Sequence, residues 1–190
     1  MAVRCPQAVR CLDPFQVVAW ATQAVDEIRR EVWNAARRGG QADHARLLKG
    51  ARWALWKNAE TLSERQQRKL AWVQRVNQPL YRAYLLKEHL RLIFQLPLED
   101  ALELLEDWLG WAFRCRLEPF LAVADRIATH IDALIATLKH RLSNALVEAV
   151  NTRIRLIIRR AYGFHSASPL IALAMLSCGD CQATLPGRAA

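Results

Sequence analysis

Apolar positions recur at helical spacing along most of this chain, and the exceptions sit near its start. After Asp13, the residues Val17, Ala21, Ala24, Ile28 and Val32 follow at intervals of three or four, the period of a helix with one buried face. Asp13-Pro14 supplies the start of that helix, a capping Asp followed by Pro at the first helical position. Gly39-Gly40 supplies its stop. Ala8 to Leu12, "AVRCL", reads instead as a short strand ending at Asp13. Arg52 to Trp56, within "ARWALWK", reads as a second strand after a short helix near Ala42 to Leu48.

Everything later reads as helix. Ser63-Glu64-Arg65-Gln66 fits a capping box opening a helix to about Val76, and Pro79 starts another that stops before Pro97. A further helix runs from Leu98 to about Cys115. Glu118-Pro119 opens a long one with Leu121, Ala124, Ile127, Ile131, Leu134 and Leu138 on one stripe. The segment "SNALVEAVNTRIRLIIRRAYGF", Ser143 to Phe164, follows, then a short helix around Pro169 to Ser177 and a tail from Gly179. Two parallel strands joined by a right-handed crossover helix would leave a sheet with nothing on its other side. The chain therefore reads as part of something larger.

Charge sharpens this picture. The 190 residues are 53% apolar and carry a net charge of +9, unlike a disordered chain. Between Pro97 and Trp111 lie Glu99, Asp100, Glu103, Glu106 and Asp107 with no Lys or Arg, so the rest holds 27 basic against 13 acidic residues. Such an excess suits a polyanionic partner, nucleic acid first and an acidic membrane surface second. No uncharged run is long enough to span a bilayer, and Arg4, Arg10 and Asp13 interrupt any signal-peptide pattern. Five cysteines in a chain without a signal peptide point to reduced thiols and a cytoplasmic location. Cys178 and Cys181 form a C-x-x-C, but no second pair or His cluster completes a zinc site around them.

The Ser143–Phe164 segment separates into faces once Ser143 or Asn144 is placed at its cap. Val147, Val150, Ile154, Ile157, Ile158 and Ala161 form the stripe expected to be buried. Asn144, Glu148, Asn151, Arg155 and Arg159 form a polar stripe. Two readings of Glu148 stay open on these residues alone. It is a solvated carboxylate beside arginines, or a metal ligand next to cations that hold a phosphate backbone. Asp13 divides the same way, between helix cap and ligand.

The stretches "CLDPFQVVAWATQAVDEIRREVWNAARR", "KGARWALWKN", "LYRAYLLKEHLRLIF", "LSNALVEAVNTRIRLIIRRAYGFHS" and "LIALAMLS" resemble the C-terminal part of the ISL-three family of bacterial insertion-sequence transposases, from about Pro6 to Arg188. The resemblance implies an Asp-Asp-Glu enzyme with a ribonuclease-H-like core, here mainly α, with a partial α/β core of about two parallel strands and a large helical insertion. It implies residues 1–61 as partial core, 62–142 as insertion, 143–178 as the glutamate helix with a final core helix, and 179–190 as a flexible tail. Asp13 matches the family's second catalytic aspartate and Glu148 its glutamate, both as Mg²⁺ ligands expected to face one another. Asn144, Asn151, Arg153, Arg155, Arg159 and Arg160 would contact DNA.

The activity implied is cleavage at transposon ends and strand transfer, in which water and then a 3′ hydroxyl attack a phosphodiester across two Mg²⁺ ions. The implied partners are the terminal inverted repeats, a full-length transposase or further copies of the chain, with no membrane. Two departures stand out. Gln16 occupies a position where the family has His, and the first catalytic aspartate has no counterpart among the residues before Asp13. The chain thus looks N-terminally truncated and inactive on its own. A basic helical module that binds DNA or a transposase and modulates transposition without catalysis is the alternative. An unrelated helical protein using its acidic helix and seven Trp for partner contacts is a third.

Overall fold

In the computed structural model, which describes residues 9–141 and 145–178, the chain divides into two compact units, Met1–Arg141 and Leu142–Ala190. In the first unit, α1 spans Pro14–Arg38, α2 Ala42–Gly50, α3 Arg52–Trp56, α4 Glu64–Val76, α5 Gln78–Ile93, α6 Leu98–Arg114, α7 Glu118–Thr129 and α8 Ile131–His140. In the second, α9 spans Ala145–Arg160 and α10 Ala167–Cys178.

The boundaries follow local chemistry. Asp13 caps α1 by accepting a hydrogen bond from Phe15 N at 2.9 Å, with Pro14 at the first helical position. Gly40, at a φ of 71°, takes the chain out of the helix, a conformation that costs glycine little. The capping box forms at Ser63, whose N–H donates to Gln66 Oε1 at 3.0 Å. Asn77 Oδ1 caps α5 by accepting from Leu80 N at 2.9 Å. The stripe from Leu121 to Leu138 is present but divided at His130 into α7 and α8. Just before the break, Thr129 Oγ1 donates back to Asp125 O at 2.8 Å, a bond of the kind that bends helices.

The expected pair of parallel strands, Ala8 to Leu12 and Arg52 to Trp56, is not seen among the described residues. Among the described residues there is no strand, and no ribonuclease-H-like α/β core is seen. Arg52–Trp56 is α3, and the reason lies in its burial. Ala51, Ala54 and Leu55 are buried while Trp53 is exposed, a spacing of three and four rather than two. The alternation seen in "RWALW" was a short sample of helical period. Residues 9–12, the described part of the other expected strand, run without regular structure. Their backbone is met by a side chain of α8 instead of a ladder. Leu12 N donates to Thr137 Oγ1 at 2.8 Å, and the Thr137 hydroxyl lies 2.7 Å from Leu12 O.

α1 packs against α2, α3, α5 and α7, and α5 against α4 and α6. The core between them includes Val17, Ile28, Leu55, Leu86, Leu90, Trp108, Phe120 and Leu134. Trp108 meets its polar requirement inside that core by donating Nε1–H to Leu86 O at 2.8 Å. Lys87, 1% exposed, closes the C-terminal end of α3 by donating to the carbonyls of Leu55 (2.8 Å) and Lys57 (3.1 Å), and it pairs with Glu88 at 2.7 Å. Those carbonyls are ones a helix end leaves without partners.

In the second unit α9 and α10 pack together, joined through Tyr162 and Gly163 at positive φ. Val150, Ile154 and Ile157 are half-buried, as expected, but Ile158 and Ala161 are exposed. The helix α10 is apolar on all sides, and Ile171, Leu173, Met175 and Leu176 are exposed.

Candidate nucleic-acid interface and carboxylates

The two carboxylates singled out by sequence both stand at the start of a helix. Asp13 is exposed at the cap of α1, with one oxygen engaged by Phe15 N. Glu148 is exposed in the first turn of α9. Asp13 belongs to the first unit and Glu148 to the second, and each is placed within its own.

The α9 arginines fall on two faces. Glu148, Asn151, Arg155 and Arg159 recur along one exposed stripe. Arg153 and Arg160, seven residues apart and also exposed, lie toward α10, where with Leu156, Ile157 and Ser177 they line a cleft of about 210 Å³. Arg159 and Arg160 also sit in the last turn, favourable to the helix dipole. Asn144, the expected cap at Ser143 or Asn144, and Cys181 lie outside the described residues. Cys178 is a half-buried free thiol.

The carboxylate oxygens of Asp13 and Glu148 have the hardness that Mg²⁺ requires, but the number of donors falls short. Among the described residues no group of three or more His, Cys, Asp or Glu side chains is placed to hold a metal ion. By themselves, then, these residues do not fit a metal site.

A second basic surface escaped the reading of single motifs. Residues 37–75 hold ten Lys or Arg against three Asp or Glu, a net of +7 where the whole chain has +9. Counting charge by segment would have found it, as it found the acidic stretch on α6. Here α2 and α4 form a cleft of about 260 Å³ lined by Leu47, Arg65, Arg68, Lys69 and Trp72.

A helical body with basic faces and exposed carboxylates at helix starts is consistent with a DNA-handling protein, and comparison with known proteins places it. The chain belongs to the ISL-three family of Asp-Asp-Glu transposases: the family's profile, described as "Transposase", matches residues 1–174. Transposases of this class use divalent metal ions and bind DNA at transposon ends.

Among its relatives is the transposase for insertion sequence element IS1557 of Mycobacterium tuberculosis, in strains CDC 1551 and H37Rv alike. It is 49% identical over 204 residues, covering 97% of this chain and 46% of the relative. The transposase for insertion sequence element IS1001 of Bordetella parapertussis is 31% identical over 162 residues, covering 84% of this chain and 39% of the relative. The chain thus spans less than half the length of these curated relatives. No solved structure matches it. Among the described residues no helix is long and apolar enough to cross a membrane.

Proposed function

We propose that this chain supplies part of the DNA-handling body of an insertion-sequence transposase, with Asp13 and Glu148 as two of the carboxylates of its metal site. Asn151, Arg155 and Arg159 form the adjoining face that holds a phosphate backbone, and Arg153 and Arg160 extend it toward α10. The substrate is the DNA at the element's terminal repeats, and the ion is Mg²⁺.

One observation carries this reading. Glu148, Asn151, Arg155 and Arg159 share one exposed stripe of α9, so a carboxylate and cations stand ready on the same side. Further oxygen donors, from outside the described residues, would complete the metal site. With these two carboxylates as its only donors, the site is expected to leave bound DNA uncut.

Binding is tested by the dependence of affinity on salt for duplex DNA. Each phosphate contact releases counterions and adds about 0.9 to the slope of log affinity against log salt. Arg155→Ala/Arg159→Ala should flatten that slope by roughly 1.8 for two lost contacts. An unchanged slope would remove α9 from the interface. A second reading, a module that binds DNA without any catalytic part, is favoured by the concentration of charge outside α9, in residues 37–75.

A further inference from the structure

We infer that the α2–α4 cleft is a second DNA contact, one that grips two phosphates through Arg65 and Arg68 and stacks an unpaired base on Trp72. This rests on the proposal that the protein handles DNA, and it adds a site in the other unit of the chain.

The stripe comes from spacing. Arg65, Arg68, Lys69 and Trp72 are separated by three, four and seven residues on α4, so they share one face. Its outer end, Arg65 and Arg68, is exposed, while Trp72 rests against the edge of the core that α4 meets through buried Val73. Neither Arg65 nor Arg68 has an acidic partner among the described residues, and both are exposed. The acids of the neighbourhood are occupied or set apart. Asp43 pairs with Arg46 at 2.7 Å, and Glu60 with Arg91 at 2.7 Å. Glu64 stands in the first turn of α4, where the helix dipole accommodates a carboxylate. Two guanidiniums one turn apart with no carboxylate partner among the described residues suit anionic oxygens from outside the chain, and planar Arg is the side chain best matched to phosphate.

The floor of the cleft is built rather than incidental. Lys69 is drawn across to α2 by donating its ammonium to Gly50 O at 2.6 Å. Trp72 is half-buried, and its ring lies against His44 of α2 with centroids 5.1 Å apart. Leu47, 47% exposed, forms the opposite wall. A flat indole held from behind, beside an aliphatic wall and under two cations, combines the aromatic platform and the positive groove by which proteins bind single strands. A paired base has its faces already stacked, so the floor favours a strand with an unpaired base.

The test uses the full chain with a short mixed-sequence single strand and the matching blunt duplex, by fluorescence anisotropy of labelled DNA over a range of salt. Arg65→Ala/Arg68→Ala should lower the salt slope on the single strand by about 1.4, near 0.7 per contact. Trp72→Leu keeps an apolar side chain but removes the ring, and should weaken single-strand binding on the order of 10-fold or more. Trp72→Phe should restore most of it, and the duplex should respond little to either.

Equal loss on duplex and single strand in Trp72→Leu would overturn the stacking claim. An unchanged slope in Arg65→Ala/Arg68→Ala would overturn the phosphate claim. If that happens while Arg155→Ala/Arg159→Ala flattens the slope, the α9 reading stands and this one fails. A flattened slope only in Arg65→Ala/Arg68→Ala gives the reverse.

Discussion

Lys87 shows how a charged side chain earns a place in a helical core. Its ammonium, 1% exposed, joins four neighbours at once: the end of α3 through the Leu55, Trp56 and Lys57 carbonyls, and Glu88 beside it. Burial pushes its pKa below the usual lysine range, and Glu88 opposes that shift. Replacing Lys87 with Met would leave the carbonyls unmet and Glu88 with Arg91 as its remaining cation, 3.0 Å away, at a cost of about 3 kcal/mol, measurable by urea unfolding. Arg46→Ala, which removes a fully solvated pair with Asp43, should leave the unfolding midpoint where it is.

Tyr84 lies against the same cluster, its hydroxyl buried without a hydrogen-bond partner among the described residues and its ring 4.8 Å from the Lys87 ammonium. Burial, reinforced by Glu88, raises its pKa from 10 to about 12. Below pH 10 the folded and unfolded chains both keep the phenol proton, so Tyr84 adds no pH dependence. Between 10 and 12 the unfolded chain gives it up first, and stability falls with rising pH. Ultraviolet titration of the folded protein should show one late tyrosinate near pH 12, absent in Tyr84→Phe.

At the scale of elements, helix starts were legible because they are written in side chains. Asp13-Pro14, the Ser63 box and Glu118-Pro119 all mark observed starts. What misled was length. Five residues of "RWALW" cannot separate a period of two from one of 3.6, and only burial of Ala51, Ala54 and Leu55 resolves it. The segment before Asp13 misled for another reason. Its last residue, Leu12, has its backbone met by Thr137, 125 residues away, and by Ala133 O rather than by a neighbouring strand, a long-range partner that the local sequence does not show.

Thr137→Val is therefore expected to destabilise by roughly 1–3 kcal/mol, since Leu12 O loses its donor and Leu12 N keeps only the longer bond to Ala133 O at 3.3 Å. It should also speed hydrogen exchange at the Leu12 amide. Of the candidate site, Glu148, Asn151, Arg155 and Arg159 share the face that their spacing foretold. Arg153 and Arg160 turn toward α10, as their own spacing already implied, and their substitution should affect DNA affinity less than that of Arg155 and Arg159.

For the molecule as a whole, family membership was legible from blocks of residues in order, while the fold expected to go with it was not. A sheet takes strands that pair, and pairing is a long-range property that local pattern does not reveal. Nor did single motifs expose the uneven spread of charge: residues 37–75 carry most of the net excess, on a different unit from Glu148. Two basic regions and two exposed carboxylates, with no group of three metal-binding side chains among the described residues, fit the proposal of a DNA-holding part of a transposase whose metal site takes further donors.

The most direct test incubates the purified chain and its Glu148→Gln variant with DNA carrying the element's ends, in Mg²⁺ or Mn²⁺, and follows binding and nicking together. Expected is salt-sensitive binding by both proteins and nicking by neither. Nicking by the unmodified chain that disappears in Glu148→Gln would contradict this, showing that the chain holds a complete metal site.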